Sequence, residues 1–519
     1  MRTFALVLVG LLLGAAAAGA RTIVGTPGND RLVGTPRADT LVGRAGADRL
    51  SGAAGSDLLI GGPGRDRIDA GPGNDRASAE YDGARDTVRC GDGTDVVNAD
   101  LLDIVADDCE LVGRRLSRDP YTNPDAQHET QVEPDSFTFG RTTVATFQVG
   151  RRFDGAATNV GYAVTTNDGR TWTSGLLPGL TIASRPAGPS ARATDPVVAY
   201  DSAHGVWLIS TLALDGRTTR LAINRSTDGS TWDDALVAAE EVTQQGIAFD
   251  KNWIACDNSP ESAFYGRCYL TYTHSSDNDM LVVTFTNDGG LTWSPPTEIG
   301  ARPAVGVFPV VRPNGDFLVV YLWETQPAAI AASRSVDGGA SFGPPVRIAE
   351  VGTFTCRIRG FRAHPLPSAD VDAAGRVWAT WHDCRRSRTS ANDVYVATSP
   401  SGLTWTAPVP VTAGRNAVLP AIGVDATTAR VAIAYHRVGP AGIDVELVEW
   451  QGEATRSSRA QRLSAQSMRL GWMPDTTSGR MLADYISVHY ASGRPLVVWV
   501  LASEPVGASL RQAVYATRG

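Results

Sequence analysis

The chain has 519 residues, with 47 Lys and Arg against 55 Asp and Glu and a formal net charge of -8. That mild acidic balance argues against a nucleic-acid binder, and the length exceeds one ordinary domain, so at least two are expected. Lys251 is the single lysine beside many arginines, a pattern that reads as compositional bias and not as arginine chemistry.

At the start, Arg2 precedes an apolar run over residues 4–18 that closes on Ala18-Gly19-Ala20. This is the order of a secretory signal peptide over residues 1–20; a retained anchor helix is the alternative, and the run is short for one. No later stretch is long and apolar enough to span a membrane, so the expected protein is secreted, extracellular or cell-surface associated. The six cysteines then suggest disulfides, and proximity favours Cys90 with Cys109, Cys256 with Cys268, and Cys356 with Cys384. A metal site is the rival reading, but no Cys-x-x-Cys pair is present.

Residues 21–110 are dominated by a strict period. Asp30, Asp39, Asp48, Asp57, Asp66 and Asp75 stand nine residues apart, each followed two places later by Leu32, Leu41, Leu50, Leu59, Ile68 or Ala77. Glycine recurs before the aspartate, as in Gly61-Gly62-Pro63-Gly64-Arg65-Asp66. A polar linker would not keep apolar residues in phase with acidic ones. The pattern resembles the RTX nonapeptide of calcium-binding parallel β-rolls, in which glycine turns and short strands alternate and every second turn stacks. The resemblance implies Ca2+ as cofactor, held by those six aspartates and turn carbonyls, with Asp30 paired to Asp48, Asp39 to Asp57, Asp48 to Asp66 and Asp57 to Asp75. Arg37 and Ala70 depart from the glycine pattern, and Asp86 and Asp95 continue the register after an 11-residue step.

Residues 111–131, with Asp119-Pro120-Tyr121-Thr122-Asn123-Pro124, read as a linker. From residue 132 to 519 the chain cycles through short strands with hardly any helical periodicity. One turn recurs: Thr166-Asn167-Asp168-Gly169-Arg170-Thr171-Trp172, Ser226-Thr227-Asp228-Gly229-Ser230-Thr231-Trp232, and, with one residue inserted, copies at 286–293 and 335–342. A fifth, Ser399-Pro400-Ser401-Gly402-Leu403-Thr404-Trp405, lacks the aspartate. These turns resemble the Asp box of the sialidase-like β-propeller superfamily. The fold class is therefore expected to be all-β, an Asp-box β-propeller preceded by a parallel β-roll. Opening strands at Glu133-Pro134, Asp195-Pro196, Asp250-Lys251-Asn252-Trp253, Phe308-Pro309, Leu366-Pro367-Ser368, Leu419-Pro420 and Asp484-Tyr485 give seven blades, with six as the alternative.

Sialidases of this superfamily carry an Arg-Ile-Pro or Arg-Leu-Pro motif before the first Asp box, and this chain has none. Glu133-Pro134-Asp135 stands there instead, and its carboxylates would repel an anionic sugar. Two candidate sites remain. Asp195, Asp250, Asp484 and Tyr485, with Glu133, can converge on the propeller axis as acid/base groups, or each can cap backbone amides of its own blade. Arg357, Arg359, Arg362, His382 and Arg385, gathered by a Cys356–Cys384 bridge, can form a basic face for an anion, or a solvated loop. The preferred function is a secreted calcium-binding protein whose propeller binds an extracellular glycan or protein, with no nucleic acid and no membrane span. The alternative is a glycoside hydrolase of exo-α-sialidase type.

Overall fold

The computed structural model describes residues 20–80, 83–244, 246–352, 358–384, 391–451 and 458–519. The signal-peptide residues 1–19 and three site candidates, Cys356, Arg357 and Arg385, lie outside these. Chain contacts divide the protein into two units: Met1–Asp95 with Asp103–Cys109, and Val96–Leu102 with Glu110–Gly519.

The first unit is a parallel β-roll, and the nine-residue period explains why. Each repeat supplies one three-residue strand whose middle side chain points inward, and successive strands go to opposite sheets. Pairing is therefore between residues 18 apart: Thr22 with Thr40 and Leu58 with Arg76 in one sheet, Arg31 with Arg49 and Arg49 with Arg67 in the other. Leu41, Leu50, Leu59 and Ile68 are fully buried between the sheets. Glycine is required where turns stack: a Cβ on Gly64, at φ 138°, would fall 1.8 Å from the Gly46 carbonyl oxygen. The Cys90–Cys109 disulfide closes the end of the unit.

The second unit is built from antiparallel four-stranded meanders, each a run of consecutive hairpins. The first begins at Gln131–Phe139 and the second at Arg192–Asp201. Further meanders begin at Phe249–Cys256, Ala304–Val311, Ser368–Val371 and Ala417–Val424. The last uses Ser487–Ala491, Arg494–Val506 and Ser509–Arg518, and its fourth strand is Leu111–Arg115, antiparallel to the chain's end with Gly113 opposite Thr517. The segment read as linker, 111–131, thus contributes a strand: Leu111 is buried and alternates with half-buried Val112, which a solvated linker would not do. The core lies between neighbouring meanders, as where Leu281 and Val283 pack with Phe317, Val319 and Tyr321. The Cys256–Cys268 bridge joins two paired strands, and Cys384 is also disulfide-bonded.

The Asp boxes are hairpin turns whose carboxylate collects amides. Asp228 Oδ1 accepts from Ser230 N and Thr231 N, both at 2.7 Å, and Trp232 Nε1 donates to Gly229 O. Asp288 does the same for Leu291 N and Thr292 N. The first copy differs from its sequence alignment. Asn167 takes the carboxylate's place, accepting from Thr171 N at 2.9 Å, while Asp168 turns away to Arg141 and Ser492. Thr165 therefore opens that box, as Thr286 opens the third. In the fifth, Ser401 Oγ accepts from Leu403 N.

The box glycines seat each turn on its neighbour, since a Cβ on Gly402 would strike the Leu318 side chain at 2.0 Å. Four hydrogen bonds from amides and hydroxyls pull Asp288 down to about 2, after burial has acted the other way. A depressed folded value means its stabilisation is complete above the ordinary carboxylate range and is lost as pH falls toward 2. Asp288→Ala is expected to cost ~1 kcal/mol near pH 7, and the gap to the parent should close in urea melts at about pH 2. An undiminished gap at low pH would show that the carboxylate charge is not what holds the turn.

Candidate functional site

The opening strands of successive meanders pack against one another, and five of these carry the same irregularity. Ladder register slips between Val132 and Asp135, Thr194 and Val197, Asp250 and Trp253, Val305 and Phe308, and Val418 and Ala421. At each slip one residue is left-handed: Glu133 at φ 52°, Asp195 at 48°, Lys251 at 50°, Gly306 at 69° and Leu419 at 52°. A bulge of this kind bends the strand and re-aims a side chain. The structurally equivalent residues are thus Glu133, Asp195 and Lys251, not Asp250, and Gly306-Val307 replaces Phe308-Pro309 in that series. Sequence alignment on acidic and proline residues is off by one or two because it ignores the extra residue in the bulge.

These side chains meet. Lys251 Nζ lies 2.6 Å from Asp484 Oδ2, 3.1 Å from Asp195 Oδ1 and 3.5 Å from Glu133 Oε1. Arg362 grips Asp484 with both arms of its fork, Nε to Oδ1 at 2.7 Å and Nη2 to Oδ2 at 2.5 Å. Gln148 donates its amide to Glu133 and to Thr194 Oγ1. The three carboxylates are 2%, 3% and 1% exposed for Glu133, Asp195 and Asp484. Placing charges there is costly unless they are paired.

The titration behaviour follows from that packing. Burial pushes Glu133 up to about 8, against the pull of Lys251. Burial would also raise Asp484, yet Lys251 and Arg362 together hold it well below the usual carboxylate range. Lys251 is disfavoured by burial and still held well above its ordinary value by Asp195, Asp484 and Glu133. Asp250 sits beside the cluster, its Oδ1 accepting from the Lys251 amide at 2.9 Å, and burial pushes it up to about 6. Tyr485 donates its hydroxyl to Pro196 O at 3.3 Å and packs edge-on to Trp253. Burial, then Glu133 and Asp195, hold its phenol well above the usual value, so it is no ready nucleophile.

Of the basic group of sequence candidates, Arg359, Arg362 and His382 lie among the described residues and do not form one basic face there. Arg362 turns inward to Asp484, Arg359 is exposed, and His382 is buried with Nδ1 accepting from Leu419 N at 3.2 Å. Burial, with His364 nearby, pushes His382 down to about 3, so it is neutral at physiological pH and offers no charge to an anion.

Two cavities lie among the opening strands. The one touching Lys251, Asp484 and Tyr485 is walled by Trp253, Phe308 and Pro420 and has ≈20 Å³, room for about one water. The other has ≈330 Å³ and is lined by Asp135, Phe137, Asn258, Asp370 and His489, among others. Its carboxylates serve backbone amides of the adjoining meander: Asp135 Oδ2 accepts from Val198 N at 2.9 Å, and Asp370 Oδ2 from Val424 N at 2.7 Å. Burial raises both to about 7. In the sequence Lys251 stands only as a mark of compositional bias, and neither Gln148 nor this second cavity is singled out there. The available signal was the lone lysine standing in an opening strand where other strands carry an acid.

In the roll, the aspartates form two ladders. The amides of Asp30, Asp39, Asp48 and Asp57 donate to the Oδ1 atoms of Asp48, Asp57, Asp66 and Asp75 at 2.7–2.8 Å. The second oxygens of Asp48, Asp57 and Asp75 are buried and have no hydrogen-bond partner. A Cβ on Gly43 would meet both Asp48 Oδ2 and the Gly61 carbonyl oxygen at 2.5 Å, and one on Gly52 both Asp57 Oδ2 and the Ala70 carbonyl oxygen at 2.4 Å, so each of these carboxylate oxygens shares a small space with a backbone carbonyl. Burial pushes Asp57 up, and Asp75 up to about 6. Orphaned carboxylate oxygens beside turn carbonyls are a hard-cation donor set, so these residues fit calcium.

Comparison with known proteins agrees for this unit. The family described as RTX calcium-binding nonapeptide repeat (4 copies) matches residues 24–59 and 51–79. Residues 24–79 are RTX repeats. Among curated proteins none matches the chain. Among solved structures, the chain is similar to an intramolecular trans-sialidase of Ruminococcus gnavus at 12% identity, covering 62% of this chain and 93% of that one, with a TM-score of 0.43. An α-L-arabinofuranosidase of Fusarium graminearum is similar at 14% identity, covering 65% and 97%, TM-score 0.45. So is an α-L-arabinanase of Penicillium chrysogenum at 15% identity, covering 68% and 98%, TM-score 0.41. Among the described residues, no helix is long and apolar enough to cross a membrane.

Proposed function

We propose that this is a secreted calcium-binding protein whose seven-bladed propeller binds an extracellular glycan or protein without cleaving it. The roll, residues 21–110, takes up Ca2+ through Asp30, Asp39, Asp48, Asp57, Asp66 and Asp75. The propeller reading is carried by the state of the axial acids. Each of Glu133, Asp195 and Asp484 faces Lys251, and the adjoining cavity admits a water but no sugar. A glycosidase needs one carboxyl to donate a proton and another to attack or activate water, both facing open space for the sugar. Here the open space is the second cavity, whose size suits a small ligand unit and whose aromatic and amide groups suit binding.

The test is hydrolysis of a panel of fluorogenic glycosides, sialosides included, by the calcium-loaded chain from Arg21, followed by a glycan array. No turnover by folded protein, with array binding weakened by Phe137→Ala or His489→Ala, is the expected result. Turnover that disappears in Asp484→Asn or Tyr485→Phe would replace the binder with the hydrolase.

A further inference from the structure

The two sheets of the roll present different outer faces. In one, the outward positions are Thr22, Val24, Thr40, Val42, Leu58 and Ile60, uncharged over three strands. In the other, Arg31, Arg49 and Arg67 stand in direct register on neighbouring parallel strands, all exposed. Arg76, opposite Leu58, is the arginine that the fourth strand adds to this first face. The second face carries a row of three in register.

The row continues on the turns. Arg49 and Arg67 line an open groove with exposed Arg65 and Arg85, where Asp48 and Asp66 also contribute but are buried. Arg89 extends the same face, and Asp69 is the carboxylate on it, opposite Arg89. No ion pair among the described residues engages Arg31, Arg49 or Arg67.

Parallel strands lie ~4.8 Å apart, so the row sets like charges at that spacing. Like charges directly opposite one another destabilise a sheet unless something neutralises them. Guanidinium forks are matched by planar or tetrahedral oxyanions, and a straight row of them by a linear polymer of such anions.

We infer that the arginine ladder Arg31–Arg49–Arg67 on the outer face of the roll binds an extended acidic polysaccharide, through its carboxylate or sulfate groups. A single polysaccharide strand can follow one row of forks, whereas a nucleic-acid duplex presents its phosphates over a broad surface that one row does not match. This site is distinct from the propeller cavity and holds whichever way the propeller reading falls.

The experiment uses the full calcium-loaded chain and four probes: polygalacturonate, dextran sulfate, neutral dextran and duplex DNA. Binding to one or both acidic polysaccharides is expected, with carboxylate and sulfate sources separated by the first two probes. Arg31→Ser/Arg49→Ser/Arg67→Ser should weaken it by ~10-fold or more, and the salt dependence should become shallower by about three charges. Removing the same charge elsewhere, in Arg170→Ser/Arg217→Ser/Arg494→Ser, should leave binding unchanged. Arg31→Lys/Arg49→Lys/Arg67→Lys, which keeps the charge and loses the forks, should fall between and covers the case in which the serine triple does not fold. The inference is overturned by no binding to either acidic polymer, by equal weakening in the two serine triples, by a lysine triple that binds no more weakly than the parent, or by tighter binding to DNA.

Discussion

Lys251→Met is expected to destabilise the second unit by ~3–5 kcal/mol, the range for removing one partner from a buried charge cluster. The reason is geometric: three carboxylates face one ammonium, and among the described residues only Asp484 is also ion-paired to a second cation, Arg362. Without Lys251, Asp195 is left buried with no cation facing it, and Glu133, already raised to about 8 by burial, loses the pull that opposed that rise. Glu133→Gln should be far milder near pH 7, since burial already pushes that carboxyl up to about 8.

The sign of the pH effect separates the two variants. A carboxyl raised in the folded state binds more protons folded than unfolded, so stability falls as pH rises from the ordinary glutamate range through about 8. Glu133→Gln should remove part of that slope in urea melts between pH 5 and 9. A Lys251→Met protein within ~0.5 kcal/mol of the parent would mean that the cluster holds no buried charge worth compensating.

What was legible in the sequence was whatever is local or periodic. The roll is written in the nine-residue spacing of Asp30 to Asp75, because each turn needs the same glycine and aspartate at the same place. The box turns are local too, yet Asn167-Asp168 shows the limit: either residue can accept the turn amides, and only the structure shows that Asn167 does. The axial cluster is neither local nor periodic. Lys251 and Asp484 are 233 residues apart, and Arg362 and Asp484 are 122. The meeting also depends on the bulge between Asp250 and Trp253, which shifts that opening strand by a residue, and this is why Asp250 was placed where Lys251 belongs. Arg362 looked like part of a basic loop for the same reason: its partner is in another meander.

Calcium removal is expected to have its largest effect on the roll alone. The unit has one thin row of apolar side chains between its sheets, Leu32 to Val88, while Asp48, Asp57, Asp66 and Asp75 are buried beside them. Burying that many carboxylates without a cation opposes folding, and the gain from a ligand that binds only the folded state is ~2.7 kcal/mol at a hundredfold excess over Kd. A chelator should therefore unfold residues 21–95 and 103–109 while the second unit, held by its own core, remains. Limited proteolysis with and without chelator reads this directly, as cleavage confined to the roll. Replacing Asp48 and Asp57 together by alanine removes two of the orphaned oxygens, one from each ladder, and should lower the bound calcium per chain measured by elemental analysis. Unchanged stoichiometry in that double variant, with the parent losing calcium to chelator, would place the ion on other ligands than the stacked aspartates.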